Sequence, residues 1–459
     1  MKIPLTPPKT DALLHDIMKN DLDRGVKIIS MGSPTDSKGR YLHWDQLRHL
    51  PTPGDLTSEE WWTSIKTARK SIYRELPFKN KYGRHFIYAL PDCVLSSLHW
   101  IGQTASGVVS SDTPILNTHM RDSYLIRSLV TEAISSSQLE GASTTRNVAK
   151  EMIRQRRAPR DRSEQMIFNN YNAMQFIREM QNEALTPSII IELQKILTEN
   201  TLDDESGAGR LRNEHDDIHV VDAQQSNILH TPPNSSELAD RMDLICQFAN
   251  DRNPSPSSFM DPVIRAIILH FMLAYDHPFV DGNGRTARAL FYWSMANQRY
   301  WLMEFISIST VIKKSPIKYG KSYLYTETDD NDLTYFIIHQ LDVIKEAITE
   351  LHKYLDRKQR EIESAENLLK TASKLDIKLN FRQLSILKNA LKHPGNVYTI
   401  KTHQTSHGVS YQTARVDLLE LSDDLKLLDK RIRGKEFCFI SPSNLQEKIE
   451  NMNNREEII

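Results

Sequence analysis

Glycine is scarce in this chain, at 16 residues in 459, about half the usual share of roughly 7%. Few positions are then suited to the left-handed backbone of tight turns, which favours a helical architecture. Cysteine is scarcer still. Cys93, Cys246 and Cys438 are too few and too far apart for a disulfide framework or a cysteine zinc site, and they suit a reducing compartment. An excess of either charge is missing too: 58 Lys and Arg face 59 Asp and Glu, for a formal net charge of −1. That balance excludes a wholly basic nucleic-acid coat and a strongly acidic solvating protein. Long apolar runs are absent as well. The most apolar stretch, 263–275, is broken by Arg265 and His270 and falls short of the ~20 residues that span a bilayer. Residues 1–23 hold no apolar core of signal-peptide length, so the expectation is a soluble, cytoplasmic protein with no membrane partner.

What is present divides along the chain, and a length prior of about 150 residues per domain allows two to four domains. Residues 1–110 read as an N-terminal helical region. Its aromatic clusters, Tyr41-Leu42-His43-Trp44 and Glu60-Trp61-Trp62, suit a small core or an interface and offer no chemistry. From 122 to 311 the helical period dominates, opening with an apolar face of Tyr124, Leu125, Leu129, Ala133 and Ile134. Further helices are expected at 163–182, 187–200, 236–250 and 261–275. Between them, Ile218-His219-Val220-Val221 and Asn227-Ile228-Leu229-His230 flank a polar turn at 222–226, the pattern of a short β-hairpin. Residues 335–375 read as one long helix, with Ile338, Leu341, Ile344, Ile348, Leu351 and Leu355 on one side. Such a stripe serves packing within one chain or a homodimer seam.

The last stretch, 381–442, reads as helix, then helix–turn–helix around Gly408, then a hairpin with Lys430-Arg431-Ile432-Arg433-Gly434-Lys435 at its tip. This is the order of a winged helix. From 381 to 440 ten Lys and Arg oppose six Asp and Glu, a modest basic excess that suits DNA contact or protein docking.

Chemistry concentrates in His277-Pro278-Phe279-Val280-Asp281-Gly282-Asn283-Gly284-Arg285-Thr286-Ala287-Arg288. Pro278 disfavours the α conformation of its predecessor, so the preceding helix should end near His277. Asp281-Gly282-Asn283-Gly284 supplies a tight turn of small residues, with a new helix from about Arg285. A glycine-rich turn into a helix N-terminus binds anions through convergent N–H groups and the helix dipole. Arg285 and Arg288 add two forked cations suited to phosphate oxygens. Asp281 is one carboxylate beside that seat, the arrangement in which Mg²⁺ is held mainly by phosphates and water. His277 titrates near neutrality and can take a proton from a hydroxyl. The bland alternative, a turn with two surface arginines and a capping histidine, does not account for so many phosphate-handling groups in twelve residues.

These twelve residues match, at every position, the His-Pro-Phe-x-Asp/Glu-Gly-Asn-Gly-Arg-x-x-Arg signature of the Fic (Fido-fold) family. The surrounding region, about 120–312, resembles the Fido domain. The resemblance implies a mainly α fold with a short β-hairpin flap, and transfer of AMP from ATP to a Ser, Thr or Tyr hydroxyl of a protein target. It makes His277 the general base and Asp281 the Mg²⁺ ligand. Gly282, Asn283 and Gly284 would cradle the α- and β-phosphates, Arg285 would hold the phosphates and Arg288 the γ-phosphate, with Thr286 in the same nucleotide site. Phe279 would face the core. Upstream, Ser136-Ser137-Gln138-Leu139-Glu140-Gly141 resembles the family's inhibitory motif, Ser/Thr-x-x-x-Glu-Gly/Asn. Ser136 and Glu140 share a helix face, and Gly141 is a natural helix terminator. The resemblance pairs Glu140 with Arg288 across the phosphate site.

The hairpin at 218–230 resembles the family's flap, which takes a target segment by β-augmentation. Its flanks, Gly209-Arg210-Leu211-Arg212 and Thr231-Pro232-Pro233, fit the family's usual ones. Tyr319 lies where relatives place aromatic contacts to the adenosine. The expected division is therefore 1–110, a Fido domain at 111–335, a helical linker at 336–380 and a winged helix at 381–445. Two other functions stay open: removal of AMP, or transfer of another phosphate-containing group, on the same fold; and a nucleotide-sensing regulator that binds DNA.

Overall fold

The computed structural model describes residues 1–105, 118–155, 157–222, 227–251, 259–374, 379–407, 409–433 and 436–453. The boundary expected at 110, most of the flap turn, Gly408 and the wing-tip residues 434 and 435 lie outside the described residues. The chain forms two compact units, Met1–His352 and Lys353–Ile459, and is mainly helical. Among the described residues no helix is long and apolar enough to cross a membrane.

The first unit opens with α1 (Thr10–Asn20), α2 (Leu22–Ser30), α3 (Trp44–Leu47) and α4 (Ser58–Lys70). Thr57 and Glu60 close a reciprocal capping box at the start of α4, satisfying two backbone donors that the first turn leaves open. Trp61, Trp62 and Ile65 of α4 pack with Ile28, Trp44, Leu47 and Leu56. The region is not all helical, as the sequence reading had it. β1 (Arg74–Lys79) and β2 (His85–Tyr88) form an antiparallel hairpin before α5 (Asp92–Ala105). Leu76 and Phe78 point inward at a spacing of two, a period too short-lived to stand out beside the tryptophan-rich helix.

There follow α6 (Thr118–Leu139), α7 (Arg146–Gln155), α8 (Arg162–Glu179), α9 (Pro187–Thr198), β3 (Val220–Val221), β4 (Ile228–His230) and α10 (Leu238–Asn250). Next come α11 (Pro262–Asp276), α12 (Asn283–Asn297), α13 (Ile308–Lys314), α14 (Pro316–Thr328) and α15 (Thr334–Lys374), whose last residues belong to the second unit. α11 and α12 form the centre of the first unit, and α12 packs in turn against α6, α8 and α9. Pro262 sits in the first turn of α11, capped by the Asp261 side chain, where a missing N–H costs nothing. Nearly every residue of α11 and α12 is buried, arginines included. On α15, Leu341, Ile344, Ile348 and Leu351 are covered within the chain.

A charged network joins α4 to the segment after α14. Lys66 donates to Asp329 Oδ1 at 2.8 Å, with both side chains almost fully buried. Arg69 donates to the Tyr335 hydroxyl at 2.7 Å, and the Tyr41 hydroxyl donates to Asp332 Oδ2 at 2.6 Å. Burial alone would raise the Asp329 pKa, but Lys66 and Arg69 overcome it and hold the carboxyl below its usual range.

The second unit orders α16 (Phe381–Lys392), β5 (Val397–Thr399), α17 (Ile400–His407), α18 (Tyr411–Leu419), β6 (Asp429–Arg433), β7 (Glu436–Ile440) and α19 (Leu445–Asn453). The three strands are antiparallel in the order β5-β7-β6. Ile386, Leu387, Ile400, Ala414, Leu418, Leu421 and Phe439 lie in one core. β5 and α19 are absent from the sequence reading. A three-residue strand has too few positions to show a period.

The α4 network makes a stability prediction. Asp329→Asn leaves the buried Lys66 ammonium with only the exposed Asp330 carboxylate at 3.6 Å as counter-charge and should cost about 3–5 kcal/mol in urea denaturation. Lys66→Met/Asp329→Leu should recover much of that loss. A cost below about 1 kcal/mol for the single variant would show that the pair is not the buried anchor described.

Candidate active site

The loop 277–282 joins the two central helices, and the geometry at each end sets its shape. α11 stops at His277, which takes a left-handed conformation (φ 46°) while its N–H still donates to the Leu273 carbonyl. Pro278 prevents the helix from continuing. α12 is entered through Gly282, also left-handed at φ 84°. A Cβ there would lie 2.9 Å from Thr198 Cγ2, so both the backbone and the contact call for glycine.

α12 begins at Asn283, two residues earlier than expected. The Asn283 amide side chain accepts from the Phe279 N–H at 2.9 Å and donates to the Phe279 carbonyl at 2.8 Å. Its side chain therefore closes the loop, and what it can offer an anion is its backbone N–H. Phe279 is fully buried. Thr286 also turns inward: its hydroxyl donates to the Gly282 carbonyl at 2.9 Å, and the residue is fully buried. The amides of Asn283, Gly284 and Arg285 fall in the first helical turn, where no intrahelical acceptor exists.

The two arginines are buried, not the surface arginines of the bland alternative. Arg285 is buried and donates to the Leu197 carbonyl at 2.7 Å and to Asp281 Oδ2 at 3.1 Å. Its Nε has no partner among the described residues. The other Asp281 oxygen accepts from the Gly282 N–H at 2.5 Å, and the carboxylate remains 43% exposed. It is therefore reachable by a cation. Among the described residues no three His, Cys, Asp or Glu side chains gather to hold a metal. Asp281 fits the role of a single protein ligand to a Mg²⁺ whose other positions are filled by phosphate and water.

Arg288 is 2% exposed. Its Nε donates to the Ser136 hydroxyl at 2.9 Å, and one terminal nitrogen donates to the Ser136 carbonyl at 3.2 Å and to Glu140 Oε1 at 2.8 Å. Burial opposes its charge, and Glu140 more than restores it. Glu140 reaches this place because α6 ends beside it. Gly141 is left-handed at φ 96°, and the Ala142 N–H folds back to the Ser137 carbonyl at 3.0 Å, a glycine-terminated helix end. The Glu140 carboxylate also lies against Gly284, close enough that a Cβ there would overlap it. An internal carboxylate thus rests on the α12 N-terminus and on Arg288 together.

His277 is half-buried, with Nδ1 3.3 Å from the Ala274 carbonyl. If Nδ1 carries the proton for that contact, Nε2 keeps its lone pair. Burial, against the opposing pull of Ala274, pushes the pKa down to about 4. Arg212, which the sequence showed only as part of a flank, holds this residue in place. Its backbone N–H donates to the Pro278 carbonyl at 2.8 Å, its Nε to the His277 carbonyl at 2.8 Å, and a terminal nitrogen to the Pro233 carbonyl at 2.5 Å.

Behind Arg288, the Tyr319 hydroxyl pairs with His270 Nε2 at 2.9 Å and with the Tyr323 hydroxyl at 3.0 Å. Tyr319 is thus held from within the domain, with its ring half-buried. His270 is fully buried, and burial, then Arg288, press its pKa well below the usual range. The available signal was a histidine interrupting the apolar α11. The flap strands pair Val220 with His230 and Val221 with Ile228. His230 anchors them, with ring nitrogens 2.8 Å from the Tyr275 carbonyl and 2.9 Å from Glu327 Oε2. Val221 and Ile228 remain exposed.

The His277 imidazole should stay neutral in the free protein down to about pH 4. An unfolded histidine titrates near 6.5, so the folded state binds fewer protons between those values and this group's contribution to stability falls as pH drops through them. Imidazole carbon-13 resonances, assigned with His277→Asn, measure the midpoint directly. A midpoint near 6.5 would contradict the burial argument.

Residues 184–295 match the model of the Fic/DOC family. A protein adenylyltransferase Fic from Drosophila virilis is 44% identical over 61 residues, and so is the Drosophila melanogaster protein of that name. Each alignment covers 13% of this chain, and the chain spans only 12% of the length of these curated relatives. Among solved structures, a Fic family protein from Desulfovibrio desulfuricans aligns over 79% of this chain and 98% of its own, at 16% identity and a TM-score of 0.49. Fic-1 from C. elegans aligns over 58% of this chain and 72% of its own, at 20% identity and a TM-score of 0.42. The match to the Fic/DOC family is carried by the segment 184–295, which builds the turn and the helices behind it.

Proposed function

We propose that the chain is a protein adenylyltransferase held in check by Glu140. What carries the reading is that a base, an amide-lined helix N-terminus and a buried guanidinium meet at one turn, with the chain's own carboxylate in the anion seat. The short matches to proteins named adenylyltransferase support the same reaction.

In the proposed reaction ATP lays its polyphosphate over the first turn of α12, where the amides of Asn283, Gly284 and Arg285 and the helix dipole favour negative charge. Arg288 would hold the γ-phosphate once freed from Glu140, and Tyr319 would lie near the nucleoside. Mg²⁺, held by Asp281, would supply charge neutralisation for the phosphate oxygens. A Ser, Thr or Tyr hydroxyl of the target, presented along the exposed edge of β3 and β4, is deprotonated by His277 Nε2. Its oxygen bonds to the α-phosphorus, the bond from that phosphorus to the bridging oxygen breaks, and pyrophosphate leaves. A pKa near 4 makes a weak base, but adjacent phosphate charge favours the imidazolium and raises that value towards the working range.

Glu140 and the γ-phosphate would compete for one guanidinium. Glu140→Gly should therefore raise AMP transfer to lysate proteins by about tenfold or more, measured with labelled ATP. Glu140→Gly/Arg288→Ala should lose that gain, a non-additive pair. If Glu140 served only its helix, Glu140→Gly would lose roughly 1 kcal/mol of stability and no variant would gain activity. Transfer by folded Glu140→Gly at or below wild type, with ample ATP and Mg²⁺, would overturn the self-inhibition reading.

His277→Ala in the Glu140→Gly background should lower transfer about 10²–10⁴-fold. ATP binding, followed by calorimetry, should change little, because the imidazole acts on the hydroxyl. Unchanged transfer would remove His277 from the mechanism.

A further inference from the structure

In the second unit the one acid on α17 and α18, Asp417, faces inward, while Asp423 and Asp424 beyond the end of α18 are exposed. Asp417 of α18 is 2% exposed and accepts from Arg382 Nε at 2.7 Å and Asn380 Nδ2 at 2.7 Å, with His403 Nε2 at 3.0 Å. Glu420 is taken by the Gln383 side chain. Between residues 393 and 416 the sequence holds no Asp or Glu at all. In a chain with 59 acids in 459 residues, about three would be expected there.

The outward face that results is one of donors. Ala414, Asp417 and Leu418 turn α18 inward, so Tyr411, Gln412 and Arg415 lie towards its other side, with Lys401 and Thr402 exposed at the start of α17. Neither Arg415 nor Lys401 makes an ion pair among the described residues, whereas Arg382, Lys430 and Lys448 do. On β6, Arg431 is exposed and Ile432 is 73% exposed. A carboxylate-free face on a helix that follows a helix and a turn complements a polyanion that also presents base edges.

We propose that this unit binds duplex DNA, with α18 in the major groove and strand β6, through Arg431, on the neighbouring backbone. A major groove about 12 Å wide admits one helix. Gln412 suits the adenine edge and Arg415 the guanine edge, while Lys401, Thr402 and Tyr411 suit phosphate. The inference is independent of the transferase reading, because the binding test needs neither ATP nor Mg²⁺.

The test is repeated selection of the full chain on a pool of random duplexes about 30 base pairs long, at about 0.1 M salt, followed by anisotropy titrations. Selection should converge on a sequence, and affinity for it should fall linearly with salt on logarithmic axes. Arg415→Ala should weaken the selected duplex about tenfold or more and relax the preference at one position. Lys401→Ala should weaken selected and scrambled duplexes alike and lower the salt slope by about one. Circular dichroism checks that both variants are folded. No enrichment with no salt-dependent binding, or wild-type binding by both variants, would give this face to a protein partner and overturn the proposal.

Discussion

Two guanidinium groups on α12 have been taken out of water, and the architecture around them answers that cost. A buried cation must be paired and hydrogen-bonded or it destabilises the fold by several kcal/mol. Arg285 finds the Leu197 carbonyl at the end of α9 and the Asp281 carboxylate in the turn. Arg288 finds the end of α6, through Ser136 and Glu140. α6 and α9 are therefore tied to the start of α12 by charge as well as by packing. The same charges leave α12 with its positive end, its free amides and a fixed cation at one place, which is why an anion is welcome there.

The turn beside it is rigid for local reasons. Left-handed residues at both ends, a bidentate amide pair between Asn283 and Phe279, and the Arg212 clamp leave His277 little freedom. Preorganisation of this kind lowers the cost of bringing a base and a phosphate seat into one geometry. By contrast, Val221 and Ile228 on the flap expose apolar side chains and short strand edges, as a surface meant to receive a peptide would. In the proposed enzyme the rigid part does chemistry and the open edge does recognition. The ion pair from Glu140 to Arg288 links buried α12 to a residue that is one-third exposed, so the contact can be exchanged without opening the core.

The second unit solves its own charge problem around Asp417. A single carboxylate gathers Arg382, His403 and Asn380, which ties α16 and α17 to α18 and spends the acid of that helix inside. The outer face is left with hydroxyl, amide and cationic groups beside the exposed Val416. Composition alone hides this, because the unit's net charge is small while α18 turns its one acid inward.

Much of this was legible in the linear sequence. Local chemistry located the turn: Pro278 after His277 ends a helix, and small residues at 281–284 start another. Apolar periodicity marked α8, α9, α10, α11 and α15 to within a few residues, since burial of one face repeats at the helical spacing. The β1–β2 hairpin, β5 and α19 were not visible, because short elements have too few positions to reveal a period. Nor could sequence alone show that Arg285 and Arg288 are buried, that Asn283 spends its side chain on Phe279, or that Arg212 holds the His277 carbonyl. Those facts depend on partners from 4 to 152 residues away in the chain. Short-range sterics and hydrogen-bonding preference belong to neighbouring residues and can be read in order. Whether a charge is exposed or answered is settled only when distant helices close over it, and that is a property of the packed structure.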